Sequence, residues 1–447
     1  MDEHSQAGRP FWAWFKHRHE QLRRPQTVLD DNGNVIFDEN DNFPLENEIF
    51  ERPWGGIPFI YSFGDCCQLP PVKMKSIFDN SNGRPDSSDN IGRIVFNDFI
   101  SADHMDTSQS VIVKMDEVLR QDNEVFLKSL NNMRNGSIDD DDVDFLLSRC
   151  LDNLDEEERQ LFQNALHLVP TWNMTDEIIF NYLDSFDTPI MKLYPKYSTI
   201  RTNGLNHCIS ELSYPSKIAL CEGAVVMLLK NFVVEINLMN GAVGVVRKIV
   251  YKETAGPHDN TKPHPAYIIV EFRNVVIPEE KKAFPNLPSN CVPIPVVTET
   301  CEKRCCSMST IPLRVCVALT IHKSQGMTVG PNENFEKVIV YLPDKSRAQR
   351  STLGLELVAM SRATAPEHFA IGNSLQSINI SDLKKIGQSK STEDIKNFHH
   401  YLSDRAITTQ DESRNLIKQL DSNTENDEDK TFEGGCEHLL DWFNSKR

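Results

Sequence analysis

The apolar run Leu313 to Leu319 ends, with no spacer, on Thr320-Ile321-His322-Lys323-Ser324-Gln325-Gly326-Met327-Thr328. A short segment that is apolar at nearly every position suits a strand buried on both faces, as in a parallel sheet covered by helices. In such sheets, ligands gather outside the carboxyl ends of the strands. Hydroxyls, an imidazole, an ammonium and a glycine at that end suit a loop that grips phosphate oxygens. The expected class is therefore α/β.

Other segments repeat the pattern. Ile57 to Phe63 reads as a buried parallel strand running into Gly64-Asp65, and Ser110 to Val113 resumes strand character. Ala165 to Pro170 and Lys337 to Tyr341 read as further strands, with a helix expected from about Thr175. Phe11-Trp12-Ala13-Trp14-Phe15 opens an amphipathic helix whose aromatic face needs a core, and Asn123 to Arg134 is a helix closed by Asn135-Gly136. From Ala219 to Tyr251 the texture becomes β, with a turn near Asn240-Gly241, and Pro-rich loops follow. That stretch reads as a small β-barrel inserted into an α/β domain. No internal repeat is visible, and the chain beyond about Leu375 is polar and reads as helical or disordered.

Composition narrows the function. The 447 residues carry 47 Lys+Arg against 65 Asp+Glu, a net charge of −18, which argues against a protein that passively coats DNA. A motor with a local basic groove is still allowed, because attraction to phosphate depends on the local field. Part of the acid lies in the runs Asp139-Asp140-Asp141-Asp142 with Asp144, and Glu425 with Asp427-Glu428-Asp429, read here as solvated loops or tails. No stretch approaches the roughly 18 consecutive apolar residues of a membrane span, and the acidic first residues do not read as a signal peptide. The 11 cysteines then read as free thiols, and Cys291, Cys301, Cys305 and Cys306 as a cysteine-rich loop, since C-x3-C-C is poor zinc spacing.

Two further strings carry chemistry. In Gly64-Asp65-Cys66-Cys67-Gln68-Leu69-Pro70-Pro71-Val72, the Gln68 amide is suited to a γ-phosphate or its attacking water, and the prolines fix the following loop. In Leu357-Val358-Ala359-Met360-Ser361-Arg362-Ala363-Thr364, a single arginine beside small residues ends a helix-like segment and can serve a transferring phosphoryl group.

Taken together and in this order, these strings resemble the Pif (petite integration frequency) family of superfamily-one DNA helicases. The resemblance covers roughly Met1 to Asn373. Its third motif matches Gly64 to Val72, its fifth Thr320 to Thr328 and its sixth Val358 to Ala363. Leu119-Arg120-Gln121, Met133-Arg134-Asn135-Gly136 and Gly223 to Leu228 fit lesser family features, while Cys66-Cys67 depart from the aromatic and basic pair usual there. The resemblance implies that Asp2-Glu3-His4-Ser5-Gln6-Ala7-Gly8 is the Walker B string, with Gln6 where Met is usual. Asp2 would then hold Mg²⁺ and Glu3 orient the attacking water, with Arg120 and Arg362 as arginine fingers. It also puts Asp65, Gln325 and Gly326 near ATP, and Thr320, His322, Lys323 and Ser324 on the DNA backbone, with Thr320 and Gln325 coupling the two.

The implied architecture is two RecA-like parallel-sheet domains, the first truncated, with a small β-barrel inserted in the second. Residues 1–108 would be the remnant of the first domain, and 109–196 and 312–375 the two parts of the second. Residues 197–311 would be the barrel and 376–447 a polar acidic tail. The implied activity is five-prime to three-prime unwinding of single-stranded and forked DNA, with ATP and Mg²⁺, in repair, recombination and telomere maintenance. The implied compartment is the nucleus, or else the mitochondrion. None of the 20 glycines is followed by lysine, so the sequence holds no G-x-x-x-x-G-K-[ST] phosphate loop. The rival expectation is a non-catalytic remnant or transposon-derived fragment that binds nucleic acid or a partner.

Overall fold

A computed structural model describes residues 7, 9–22, 60–65, 67–71, 74–77, 84, 87–100, 112–115, 118–199, 214–215, 217–251, 265–278, 282, 284–301, 306–343, 354–388 and 394–407. The chain divides into two compact units. One takes Met1–Cys66, Pro70–Glu117 and Lys390–Arg447, and the other takes Cys67–Leu69 and Val118–Ser389.

In the first unit, helix α1 (Arg9–Leu22) packs on helix α2 (Ser88–Ile100). The aromatic face expected of α1 is used: Trp12 is fully buried, edge-on to Phe96 at 4.8 Å and tilted on Phe99 at 5.4 Å. Gly92 on α2 is required by this contact, since a Cβ there would stand 1.7 Å from the Arg9 carbonyl. Arg9 itself is buried and donates from Nε to the Ser76 carbonyl at 3.0 Å. Of two expected strands, Ile57–Phe63 and Ser110–Val113, residues 57–59 and 110–111 lie outside the described residues, and the described parts are not strand. Residues 60–65 and 112–115 have no regular secondary structure, with Tyr61, Phe63, Val113 and Met115 all exposed. An apolar run becomes a parallel strand only beside partner strands, and none pairs with either segment among the described residues.

The second unit begins with helices α3 (Glu124–Asn135) and α4 (Asp140–Ser148). Asn123 caps α3 by accepting from the Phe126 N–H, and Gly136 ends it in the left-handed conformation, as its sequence indicates. The acidic run is not a solvated loop. Asp139 is the N-cap of α4, and Asp142 returns a bond to the Asp139 N–H in a reciprocal capping box. Asp142 is buried and also accepts from Asn132 at 2.7 Å, so the carboxylates sit at the positive end of a helix.

Strand β1 (Leu166–Val169) leads into helix α5 (Trp172–Asp184), which starts three residues before the expected Thr175 because Thr171 caps it. The strands β2 (Met191–Leu193), β3 (Lys196–Thr199), β4 (Ile218–Leu220), β5 (Val225–Leu228), β6 (Val243–Val250), β7 (Tyr267–Phe272), β8 (Cys291–Pro295), β9 (Val297–Thr300), β10 (Cys306–Thr310) and β11 (Leu313–Val315) follow. All pair antiparallel, in the orders β11-β5-β6-β7-β8, β3-β10-β9 and β2-β4. The β texture was legible, but the pairing among the described residues is three open ladders. Leu313–Val315, expected in the parallel sheet, instead pairs antiparallel with β5.

The chain then returns with β12 (Ala318–Thr320), β13 (Val338–Val340), helix α6 (Leu355–Met360), β14 (Phe369–Ile371) and the short helix α7 (Ile380–Leu383). The sheet β12-β1-β13-β14 is parallel throughout, the α/β core that the sequence indicated. Every residue of β12, β13 and β14 is buried, as a strand covered on both faces requires. Register places Val169 opposite Thr320, so the loops after β1 and β12 leave the sheet side by side. Beyond Leu375 the chain is not merely a tail. Leu383 and Ile386 join the core of this unit, and in the first unit residues 394–407 are helical, with Phe398 against Phe96.

Candidate functional site

The loop after β12 is one 3₁₀ turn, Ile321–Ser324, followed by Gly326 at φ +82°. That conformation favours glycine, and it turns the chain back so that the Met327 N–H meets the Ser324 carbonyl at 2.9 Å. Residues 67–69 pack beside it in the same unit. Leu69 is buried in the core, and Gly354, at φ +78°, lies so close to the Cys67 carbonyl that a Cβ would stand 2.5 Å away. Across this junction Gln325 donates from Nε2 to Oε1 of Gln68 at 3.0 Å.

A second cluster lies at the end of α6. Arg362 is buried, donating from Nε to the Val358 carbonyl at 2.9 Å, from Nη1 to the Met327 carbonyl at 3.3 Å and from Nη2 to Ser361 Oγ at 3.0 Å. It thereby satisfies a carbonyl at the helix end and clamps the loop after Gly326. The backbone supports the same junction, with the Val329 N–H on the Arg362 carbonyl at 2.8 Å. Arg120 donates to the Ser361 carbonyl at 3.1 Å, and the buried Gln121 donates to Ser361 and Ala363 at 3.0 and 2.8 Å.

The structure therefore brings Gln68, Gln325, Gly326, Arg120 and Arg362 into one connected set of loops, through Met327. It does not present all the expected strand contacts. Thr320 is buried at the end of β12, and Ser324 is fully buried with its hydroxyl donating to the Ile321 carbonyl at 2.8 Å. A hydroxyl held that way builds the turn rather than reaching a ligand. His322 is half-buried, and burial lowers its pKa; Lys323 lies at the surface. Asp65 belongs to the other unit, while Asp2 and Glu3 lie outside the described residues.

Sequence reading missed Trp172. It is the first residue of α5, half exposed, and two cations lie over its indole: Arg314 Cζ at 4.9 Å from the ring centroid and Lys323 Nζ at 5.0 Å. The register of β1 with β12 explains the meeting of Trp172 with Lys323, because each follows its strand by three positions, and Arg314 comes to the ring from β11. Lys323 is exposed as a residue, but desolvation of its ammonium against the indole, and then the Arg314 charge, lower its pKa, while burial lowers that of Arg314.

A parallel sheet with these loops at its carboxyl ends, two amides and two guanidiniums among them, is a RecA-like arrangement. No family model matches the chain. The ATP-dependent DNA helicase Pif1 of Candida albicans is 31% identical over 213 residues, 45% of this chain and 21% of that protein. The chain thus spans about a fifth of the length of that curated relative. Crystal structures of Pif1 from Candida albicans (TM-score 0.59, 22% identity, 89% of this chain and 76% of that one) and of Bacteroides Pif1 with ADP-AlF3 and single-stranded DNA (0.53, 18%, 90% and 74%) share the fold. Over those 213 residues the chain is similar in sequence to a Pif1 helicase, and over most of its length it shares the fold of the Pif1 structures.

Proposed function

We propose that this chain supplies the strand-gripping and nucleotide-sensing half of a Pif-type DNA helicase, driving five-prime to three-prime unwinding with ATP and Mg²⁺. The observation that carries this reading is the Gln325–Gln68 bond. It joins the loop expected to sense the γ-phosphate to the loop expected to sit on DNA, which is what coupling hydrolysis to movement requires. The donor set fits a polyphosphate: amides and guanidiniums offer N–H groups and no negative charge. ATP, when bound with Mg²⁺, supplies the phosphoryl transfer; Asp2 would hold the ion, Glu3 the water, and Arg120 and Arg362 would meet charge on the γ-phosphate. Single-stranded and forked DNA are the proposed partners, and repair, recombination and telomere maintenance in the nucleus or mitochondrion the proposed setting. No helix among the described residues is long and apolar enough to cross a membrane.

The absence of any Gly-Lys pair favours a second reading of the isolated polypeptide, a DNA-binding remnant without turnover. The test is DNA-stimulated ATP hydrolysis, measured beside oligothymidylate binding, on the purified 447-residue chain. Salt-sensitive strand binding without turnover is the expected result. Turnover abolished by Glu3→Gln overturns the need for a phosphate loop supplied from elsewhere, and absence of binding at low salt by a folded chain overturns the DNA reading altogether.

A further inference from the structure

We infer that Trp172, Arg314 and Lys323 form a strand-binding subsite, in which the two cations share one phosphodiester and the exposed indole stacks on the adjoining base of single-stranded DNA. The inference rests on the strand-binding reading above and adds to it a place where a base is held. The sequence strings do not contain it, since Trp172 and Arg314 lie outside all of them.

The argument begins with charge. Arg314 on β11 and Lys323 after β12 lie over one indole, each about 5 Å from the ring centroid. Neither has an ion-pair partner among the described residues. Two like charges held over one ring repel; burial pulls both groups toward their neutral forms, and for Lys323 the Arg314 charge adds to it. Asp176 acts on Arg314 in the opposite sense, at a distance beyond ion pairing. The indole's electron-rich face offsets part of the repulsion. An anion that bridges the two removes the rest, and a phosphodiester has the oxygens to do so: the planar guanidinium can take two and the ammonium acts as a point charge.

The aromatic adds the second half. Trp172 is 51% exposed, which a core tryptophan would not be. Strand binding without sequence preference combines a cationic track with an aromatic platform, and every base offers a face to stack. The parallel register of Val169 with Thr320 fixes the platform beside the loop on which DNA is expected. The chemistry selects a single strand, since a duplex keeps its bases stacked on one another.

The experiment is oligothymidylate binding by the full chain across a salt series, with an abasic phosphodiester of equal length as control. Trp172→Ala should weaken oligothymidylate binding by about fivefold to a hundredfold, the loss for one stacked base. It should leave the salt slope in place and leave abasic binding unchanged, while Trp172→Phe recovers most of the loss. Arg314→Gln should weaken both ligands and flatten the slope of log K against log salt by about 0.7. Photocrosslinking of a 5-iodouracil oligomer to Trp172 should succeed in the unmutated chain, a readout independent of variant folding. If the chain binds oligothymidylate but Trp172→Ala and the abasic control make no difference, the subsite is refuted and strand binding stands. If the folded chain binds neither at low salt, both fail. Equal affinity and the same Trp172 dependence for oligouridylate would overturn the assignment to DNA in favour of single strands generally.

Discussion

Gln325 and Gln68, far apart in sequence, share a hydrogen bond of 3.0 Å within one compact unit. Both side chains are half-buried, so each loses a partner in a partly dry setting if the other is removed. Gln68→Ala and Gln325→Ala should therefore be non-additive, with a coupling of about 0.5–1.5 kcal/mol. A double-mutant cycle read by urea unfolding checks this, and strict additivity would mean that the two amides do not meet in solution.

Arg362 is buried and donates to the Val358 and Met327 carbonyls and to Ser361 Oγ, while Arg120 donates to the Ser361 carbonyl from a half-buried position. Truncating Arg362 to Ala should cost about 1–3 kcal/mol, since it strands buried acceptors, against about 0.5–1.5 for Arg120→Ala. Arg362→Lys should recover only part, because an ammonium cannot span the same directions as a planar fork. Urea midpoints give the ranking, and the reverse order would show that the Arg362 clamp is not formed.

The capping box of α4 makes a contrast between neighbouring aspartates. Asp142→Ala removes acceptors for both Asn132 and the Asp139 N–H and should cost about 1–2 kcal/mol. Asp140→Asn, at an exposed position of the same first turn, should stay within about 0.5 kcal/mol. Equal losses in thermal unfolding would return the acidic run to the status of a simple solvated patch.

Three histidines, His167, His322 and His368, have pKa values lowered chiefly by burial. The unfolded chain takes protons at the ordinary histidine value of about 6.5, and the folded chain resists them until lower pH. Their contribution to stability is therefore complete above about 6.5 and is lost as pH falls through that value toward the folded ones. The melting temperature should fall between about pH 7.5 and pH 5.5, above the range where carboxylates titrate. His167→Gln, which removes the ring stacked on Tyr341, should make that fall shallower, and an identical fall would assign it to other groups.

The parts of the fold that were legible are those decided locally. Helix α3, its closing Gly136 and the buried strands β1 and β13 each carry their signal within a few residues. The conformation of Gly326 was likewise implied by its string. What was not legible depends on partners distant in sequence. Whether Leu313–Val315 pairs with β5 or with a parallel neighbour is decided by register across the insertion, and its apolar pattern suits either. The same holds for Trp172, whose meaning comes from two cations delivered by other elements. Ser324 shows the opposite case: its residue type suits a phosphate contact, while its hydroxyl is held by the turn it belongs to.

The junction between β11 and β12 leaves only Cys316 and Val317 between an antiparallel ladder and the parallel sheet. Cys316 is fully buried, and its N–H is tied to the Val225 carbonyl at 3.1 Å. The insertion is therefore spliced to the sheet without a flexible joint, and its last strand runs almost directly into the turn at Ile321. A load applied to the antiparallel ladders would travel along the backbone to Lys323 and Gln325 before any loop could absorb it. The antiparallel sheets can thus act as a handle on that turn, converting a displacement of β11 into a change of geometry at the parallel sheet's carboxyl edge.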